Sequence, residues 1–180
     1  MLRAGSLDTG MARKTYNVLF LCTGNSARSV MAESILNKIG GGRFKGFSAG
    51  SHPAGSVNPY TIELLRNQGH PVEQLVSKSW SIFEKPDAPR MDIIITVCDN
   101  AAGEVCPVWP GRPVTAHWGF EDPAAFAGSH EAKSARFHDI YRQIMTRVRL
   151  LVSLPVERLD HLALETQLRS IGKSTHDAGA

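Results

Sequence analysis

Cys22 is followed six residues later by Arg28, and the stretch between, Thr23, Gly24, Asn25, Ser26 and Ala27, carries only side chains of modest size. A main chain of that composition can close around a tetrahedral oxyanion with successive N–H groups. A guanidinium then supplies a planar fork for two of the oxygens. The same positive field favours a thiolate, which predicts a Cys22 pKa below the ordinary thiol value, and a thiolate aimed at the centre of a bound oxyanion is a nucleophile. Ser29 can either donate to that sulfur or cap a helix, and Asn25 can hold the loop by bonding its own backbone. The plainer alternative is a small buried thiol beside a glycine turn.

Those residues need a strand before them and a helix after them. "YNVLFL", residues 16–21, is an apolar run that reads as a buried strand, and Ser29 to Ile39 repeats apolar residues at helical spacing before "GGG" at 40–42. A second strand, "FKGFSA", precedes a helix that Pro59 opens and Gly69 ends. "MDIIITVC" is a near-continuous apolar run of the kind buried on both faces of a parallel sheet, "RPVTAHW" is a weaker fourth strand, and a long helix covers about Ala132 to Val152. This alternation predicts an α/β fold: one domain, an open, mostly parallel sheet of about four strands, with helices on both faces. Residues 1–14 read as a flexible head, 15–155 as the catalytic domain, and 156–180 as a C-terminal helical extension with a flexible tail from about Ser170.

Composition narrows the function classes. Twenty Lys and Arg against 17 Asp and Glu give a net charge of +3 with no basic run, which suits a small anion better than nucleic acid. No segment approaches the ~20 apolar residues of a membrane span. The chain has three cysteines, an odd number, and Cys22 and Cys98 end buried strands, so a secreted disulfide framework is not expected. A reducing, cytoplasmic setting follows.

Two further groups bear on the chemistry. Asp122, followed by Pro123, lies in a loop after the fourth strand, where a carboxylic acid brought over the anion site can protonate a departing oxygen; taken alone, Asp-Pro is also a turn signal. Cys98 and Cys106 in "TVCDNAAGEVCP" admit three readings: small buried hydrophobes, zinc ligands with His117, or a thiol relay. Zinc is disfavoured because a structural site needs four ligands and the spacing matches no common pattern, so no metal site is expected. The seven histidines are scattered, and His117 and Trp118 are read as shaping the Asp122 loop.

"VLFLCTGNSARSVMAE" resembles the phosphate-binding loop of the low-molecular-weight protein tyrosine phosphatase family, whose motif is Cys, five residues, Arg, Ser; arsenate reductases share that fold and loop. The likeness runs from about Tyr16 to Val152 and includes "SAGSHPAGSVNPYTIELL". It implies Cys22 as nucleophile, Arg28 with Thr23, Gly24, Asn25, Ser26, Ala27 and Ser29 as the oxyanion site, and Asp122 as general acid. Members acting on phosphotyrosine usually carry aromatic residues just after the Asp-Pro pair; here Ala124 and Ala125 follow, which argues for a small substrate.

"ITVC", the downstream "CP" and "HWGFEDP" are similar to arsenate reductases coupled to thioredoxin. That likeness implies an adduct on Cys22, attack by Cys98, then a Cys98–Cys106 disulfide reduced by an external thiol system, thioredoxin or glutathione with glutaredoxin, with no tightly bound cofactor. The alternatives are a phosphatase acting on phosphotyrosine or small phosphomonoesters and an anion-binding protein without turnover. A disulfide needs Cα atoms about 4.4–6.8 Å apart, whereas eight helical residues span about 12 Å, so residues 99–109 are expected to be mobile. Some members bind potassium near the loop; Asn25, Glu33 and Ser48 match polar ligands there, but Trp80 stands in place of another, and no potassium site is expected.

Overall fold

The structure is a computed structural model that describes residues 13–104 and 107–174. Among these residues four parallel strands form one sheet: β1 (Tyr16–Cys22), β2 (Phe44–Gly50), β3 (Ile93–Thr96) and β4 (Val114–His117), in the order β2-β1-β3-β4. Among the described residues five α-helices intervene or follow: α1 (Arg28–Ile39), α2 (Pro59–Asn67), α3 (Asp99–Gly103), α4 (His130–Ser153) and α5 (His161–Lys173).

The period-two alternation of β1 divides the interior. Val18, Phe20 and Cys22 face the larger core with apolar residues of α1, α2, α4 and α5, such as Leu36, Leu65, Ile144 and Leu168. Leu19 and Leu21 face a smaller core with Phe83, Met91, Ile94 and Trp109. Helices therefore flank the sheet unequally, the α-helices sharing one core and a single 3₁₀ turn, Trp80–Phe83, reaching the other.

The order of the strands decides where a ligand can sit. β1 pairs with β2 on one side and with β3 on the other, Leu21 standing opposite both Ala49 and Thr96. The chain thus leaves β1 and β3 toward opposite sides, and a crevice opens beyond their carboxyl ends, where doubly wound sheets bind ligands. Cys22 closes β1, and Cys98 follows β3 by two residues, so the topology brings the two thiols to one rim.

Helix boundaries follow local signals. Asn58 caps α2 by accepting from Tyr60 N–H, with Pro59 in the first turn, and Ser129 and Asp160 cap α4 and α5 in the same manner. The irregular tail expected from Ser170 is corrected: α5 runs to Lys173 and buries Ile171. Gly172 lies so close to the His117 carbonyl and the Trp118 ring that a Cβ would collide with both. The small residue there permits helix-to-strand packing that composition alone reads as looseness. Trp118 completes that contact, donating from its indole N–H to the Leu168 carbonyl at 2.9 Å.

Candidate active site

The Cys22 loop is fixed from outside. Its Thr23 and Gly24 carbonyls accept from the N–H groups of His52 and Ala54, each at 2.9 Å, and the Ser26 carbonyl accepts from Asn58 N–H at 3.0 Å. Ser77 Oγ and Thr61 Oγ1 donate to Gly24 and Ser26 as well. With these carbonyls engaged elsewhere, the loop N–H groups other than that of Asn25 are left for an anion. Gly50, at the end of β2, has no room for a Cβ against the Thr23 carbonyl, so the sheet edge is cut away where the loop rests.

Inside the loop the hydrogen bonds converge on sulfur. Asn25 N–H donates to Cys22 Sγ at 3.1 Å, and Ser29 Oγ lies 2.9 Å from the same atom. Asn25 Nδ2 also donates to Ser29 Oγ at 2.9 Å, so the single Ser29 proton is free to point at Cys22. Of the two roles open to Ser29, its hydroxyl takes the one at sulfur; α1 has no side-chain cap, and Ala27 occupies the cap position. Asn25 adopts φ 46°, a left-handed conformation that asparagine tolerates better than most residues. Its Oδ1 accepts from Lys78 N–H at 2.8 Å.

The expected drop in the Cys22 pKa is corrected. Cys22 is 3% exposed, and burial pushes the thiol above its ordinary value; the Ser29 and Asn25 hydrogen bonds and the Arg28 charge pull against that, and Cys98 adds to it. The loop's donors offset only part of a desolvation that the local sequence does not reveal.

Arg28 and Asp122 close the other side. Arg28 Nη1 donates to the Phe120 carbonyl at 3.0 Å, and Nη2 lies 3.7 Å from Asp122 Oδ2. Asp122 Oδ1 accepts from Ala124 N–H, which caps a 3₁₀ turn opened by the buried Pro123. Glu121 is instead paired with Arg136 of α4, so of the two adjacent acids only Asp122 borders the site. Cys22 through Arg28, Asn100 and Asp122 line a cavity of about 270 Å³, room for a small oxyanion. Among the described residues no aromatic ring lines it, and Phe126, the nearest aromatic after Pro123, is 40% exposed.

Cys98 is buried at the start of α3, where its thiol accepts from Ala101 N–H at 3.4 Å and lies 3.7 Å from Thr23 Oγ1. A second thiol therefore abuts the oxyanion loop. α3 is tied to β4 by His117, whose Nε2 is 2.8 Å from Asp99 Oδ1 while Nδ1 is 2.7 Å from Thr96 Oγ1. Cys106, with Val105, lies outside the described residues.

Of the residues the sequence marks, Cys22 to Arg28, Ser29, Asp122 and Cys98 gather at one rim. Sequence reasoning missed Lys78, which reaches the loop from a distant segment without a local motif, and also Asn100 and the Phe120 carbonyl, which lie within the stretches around Cys98 and Asp122 but whose contacts only the fold sets. Lys78 Nζ stands 3.4 Å from Ser48 Oγ and 3.7 Å from Glu33 Oε2, and Ser48 also hydrogen-bonds Glu33. A cation of the chain's own thus meets that carboxylate, and these residues do not fit an added potassium ion. Among the described residues no three His, Cys, Asp or Glu side chains gather to hold a metal.

Known proteins resemble this chain in sequence and fold. The family model for low molecular weight phosphotyrosine protein phosphatase matches residues 17–165. An arsenate reductase of Bacillus licheniformis is 36% identical over 139 residues, 77% of this chain and 95% of its own. That of Bacillus subtilis is 34% identical over 132 residues, 73% and 91% of the two chains. Among solved structures, an arsenate reductase from Archaeoglobus fulgidus superposes with TM-score 0.60 at 29% identity, covering 76% of this chain and 99% of that one. The Corynebacterium glutamicum thioredoxin-dependent arsenate reductase gives 0.57 at 27% identity and covers 78% of this chain; the present chain spans 61% of its length.

Proposed function

The chain belongs to the low molecular weight phosphotyrosine protein phosphatase family, and on that premise we propose that it is an arsenate reductase working through a thiol relay. The observation that carries this reading is Cys98, a second buried thiol 3.7 Å from Thr23 Oγ1 of the oxyanion loop. Hydrolysis of a phosphate ester needs water at that point and has no use for a second sulfur.

In the proposed sequence arsenate binds in the loop with its oxygens on the backbone N–H groups and the Arg28 fork. Cys22 sulfur bonds to arsenic, and one oxygen leaves as water with a proton from Asp122. Cys98 thiolate then attacks Cys22 sulfur. The sulfur–arsenic bond breaks, its electron pair stays on arsenic, and arsenic, reduced from V to III, departs as arsenite, leaving a Cys22–Cys98 disulfide. Cys106 thiolate attacks Cys98 sulfur and releases Cys22 as thiolate. The Cys98–Cys106 disulfide is finally reduced by an external dithiol or by two equivalents of a monothiol. A thioredoxin-type protein is the proposed donor, and glutathione with glutaredoxin is the other class that fits.

Two buried reduced thiols suit a reducing compartment, and we place the protein in the cytoplasm; no helix among the described residues is long and apolar enough to cross a membrane. Cys22, Arg28 and Asp122 are also sufficient for phosphomonoester hydrolysis, which keeps a phosphatase as the second reading. Arsenite formation from arsenate, measured with each donor system in wild type, Cys98→Ser and Cys106→Ser, separates the two. Sustained turnover in wild type alone is expected. Equal turnover in all three, or hydrolysis of a chromogenic phosphate ester with no arsenite from any, would overturn the relay.

A further inference from the structure

Arg147 lies on the core side of α4 with Ile144, Val148 and Leu151, and only 6% of it is exposed. Buried cations are normally paired, yet among the described residues Arg147 has no carboxylate partner, its Nε has no hydrogen-bond partner, and burial pushes its pKa down. An apolar side chain of similar volume would fill such a position at lower cost. A cation kept there has to act on something nearby.

Its contacts identify what. Arg147 Nη1 donates to the Gly119 carbonyl at 3.1 Å, and the guanidinium lies over the Phe120 ring, 4.4 Å from its centroid. Phe120 is the residue whose carbonyl accepts from Arg28 Nη1 at 3.0 Å. Two residues further on is Asp122. The same two-residue segment is thus gripped by Arg147 from the core and grips Arg28 on the site side.

We propose that Arg147 is a positioning residue for the oxyanion site: it fixes Phe120 so that the Phe120 carbonyl holds one edge of the Arg28 guanidinium and leaves Nε and Nη2 for the bound anion. The proposal rests on the Cys22 loop being an oxyanion site and does not depend on arsenic chemistry. Arg147 contributes no group to the cavity; it acts through ring and carbonyl, and its loss is felt in anion affinity before it is felt in chemistry.

The test uses inorganic phosphate as probe and the full-length, reduced protein, reading protection of Cys22 from iodoacetamide by mass spectrometry of its peptide. Arg147→Met is expected to raise the half-protecting phosphate concentration about tenfold, with Arg147→Lys recovering part of the loss. Phe120→Leu, which removes the ring and keeps the carbonyl, is expected to act in the same direction, and it decides the matter if Arg147→Met does not fold. In an Arg28→Lys background Arg147→Met should add nothing, because the fork it serves is gone. Variants that lose thermal stability while phosphate protection stays unchanged, or an additive double variant, would overturn the proposal. Arsenite production is not the readout, so failure of the reductase reading leaves this result standing, whereas absence of phosphate protection in wild type overturns both.

Discussion

The Cys22 loop and the Cys98 segment each hold a buried thiol at the end of neighbouring parallel strands, and they are held in opposite ways. Around Cys22 three loop carbonyls accept from five donors of the surrounding chain, while Asn25 and Ser29 both reach the sulfur. Around Cys98 there is a helix of five residues, one thiol cap at Ala101 N–H, and the Asp99–His117 pair, whose Asp99 side chain is 91% exposed. In the proposed relay the nucleophile, which must meet an oxyanion in one geometry, is the over-determined one. The thiol that in this relay exchanges partners between two others is the lightly held one, and an exposed side-chain pair such as Asp99–His117 adds little to its hold.

The comparison can be broken by variants on either side. The largest effect is expected at the fork: Arg28→Lys keeps the charge and loses the planar pair of donors, and kcat/KM for arsenate should fall by about 10²–10³-fold. Asp122→Asn should follow with about 10²-fold in kcat and little change in phosphate affinity, since a carboxyl proton donor is removed and the loop N–H groups remain.

Ser29→Ala tests how the thiol is tuned. Burial raises the Cys22 pKa and the Ser29 hydrogen bond is the first of the influences that lower it. Removing that bond raises the pKa further, so the thiolate fraction at neutral pH falls. The rate of Cys22 alkylation against pH should therefore move to higher pH; a profile moving lower, or not at all, removes Ser29 from that role.

The smallest effect belongs to the other region. Asp99→Asn or His117→Gln should speed amide exchange in Asp99–Gly103 by about two- to fivefold and leave phosphate protection of Cys22 unchanged. Slower exchange, or a loss of anion affinity comparable to that of Arg28→Lys, would mean that the two regions are not held independently.

How much of this was legible depended on distance along the chain. The Cys22 loop was readable because its strand, its small residues and its arginine are consecutive, and Asn25 at positive φ suits a residue that accepts that conformation. The four strands were readable from apolar runs. The elevated Cys22 pKa was not, because its main cause is packing by distant elements that no local window contains. Lys78 and Arg147 carry no motif: Lys78 meets the loop at Asn25 Oδ1 from a distant segment, and Arg147 touches only the Gly119–Phe120 segment behind the site. Gly172, read from composition as part of a loose tail, is small because α5 packs closely against His117 and Trp118.

The central claim is that Cys98 takes over the Cys22 sulfur as arsenic is reduced. A single-turnover reaction of reduced Cys106→Ser protein with excess arsenate and no external reductant tests it, with arsenite counted and the disulfide located by peptide mass spectrometry. The relay predicts one arsenite per chain and a Cys22–Cys98 disulfide that accumulates. Arsenite formed with both thiols still free, or no arsenite and no disulfide from protein that still binds phosphate, would contradict it.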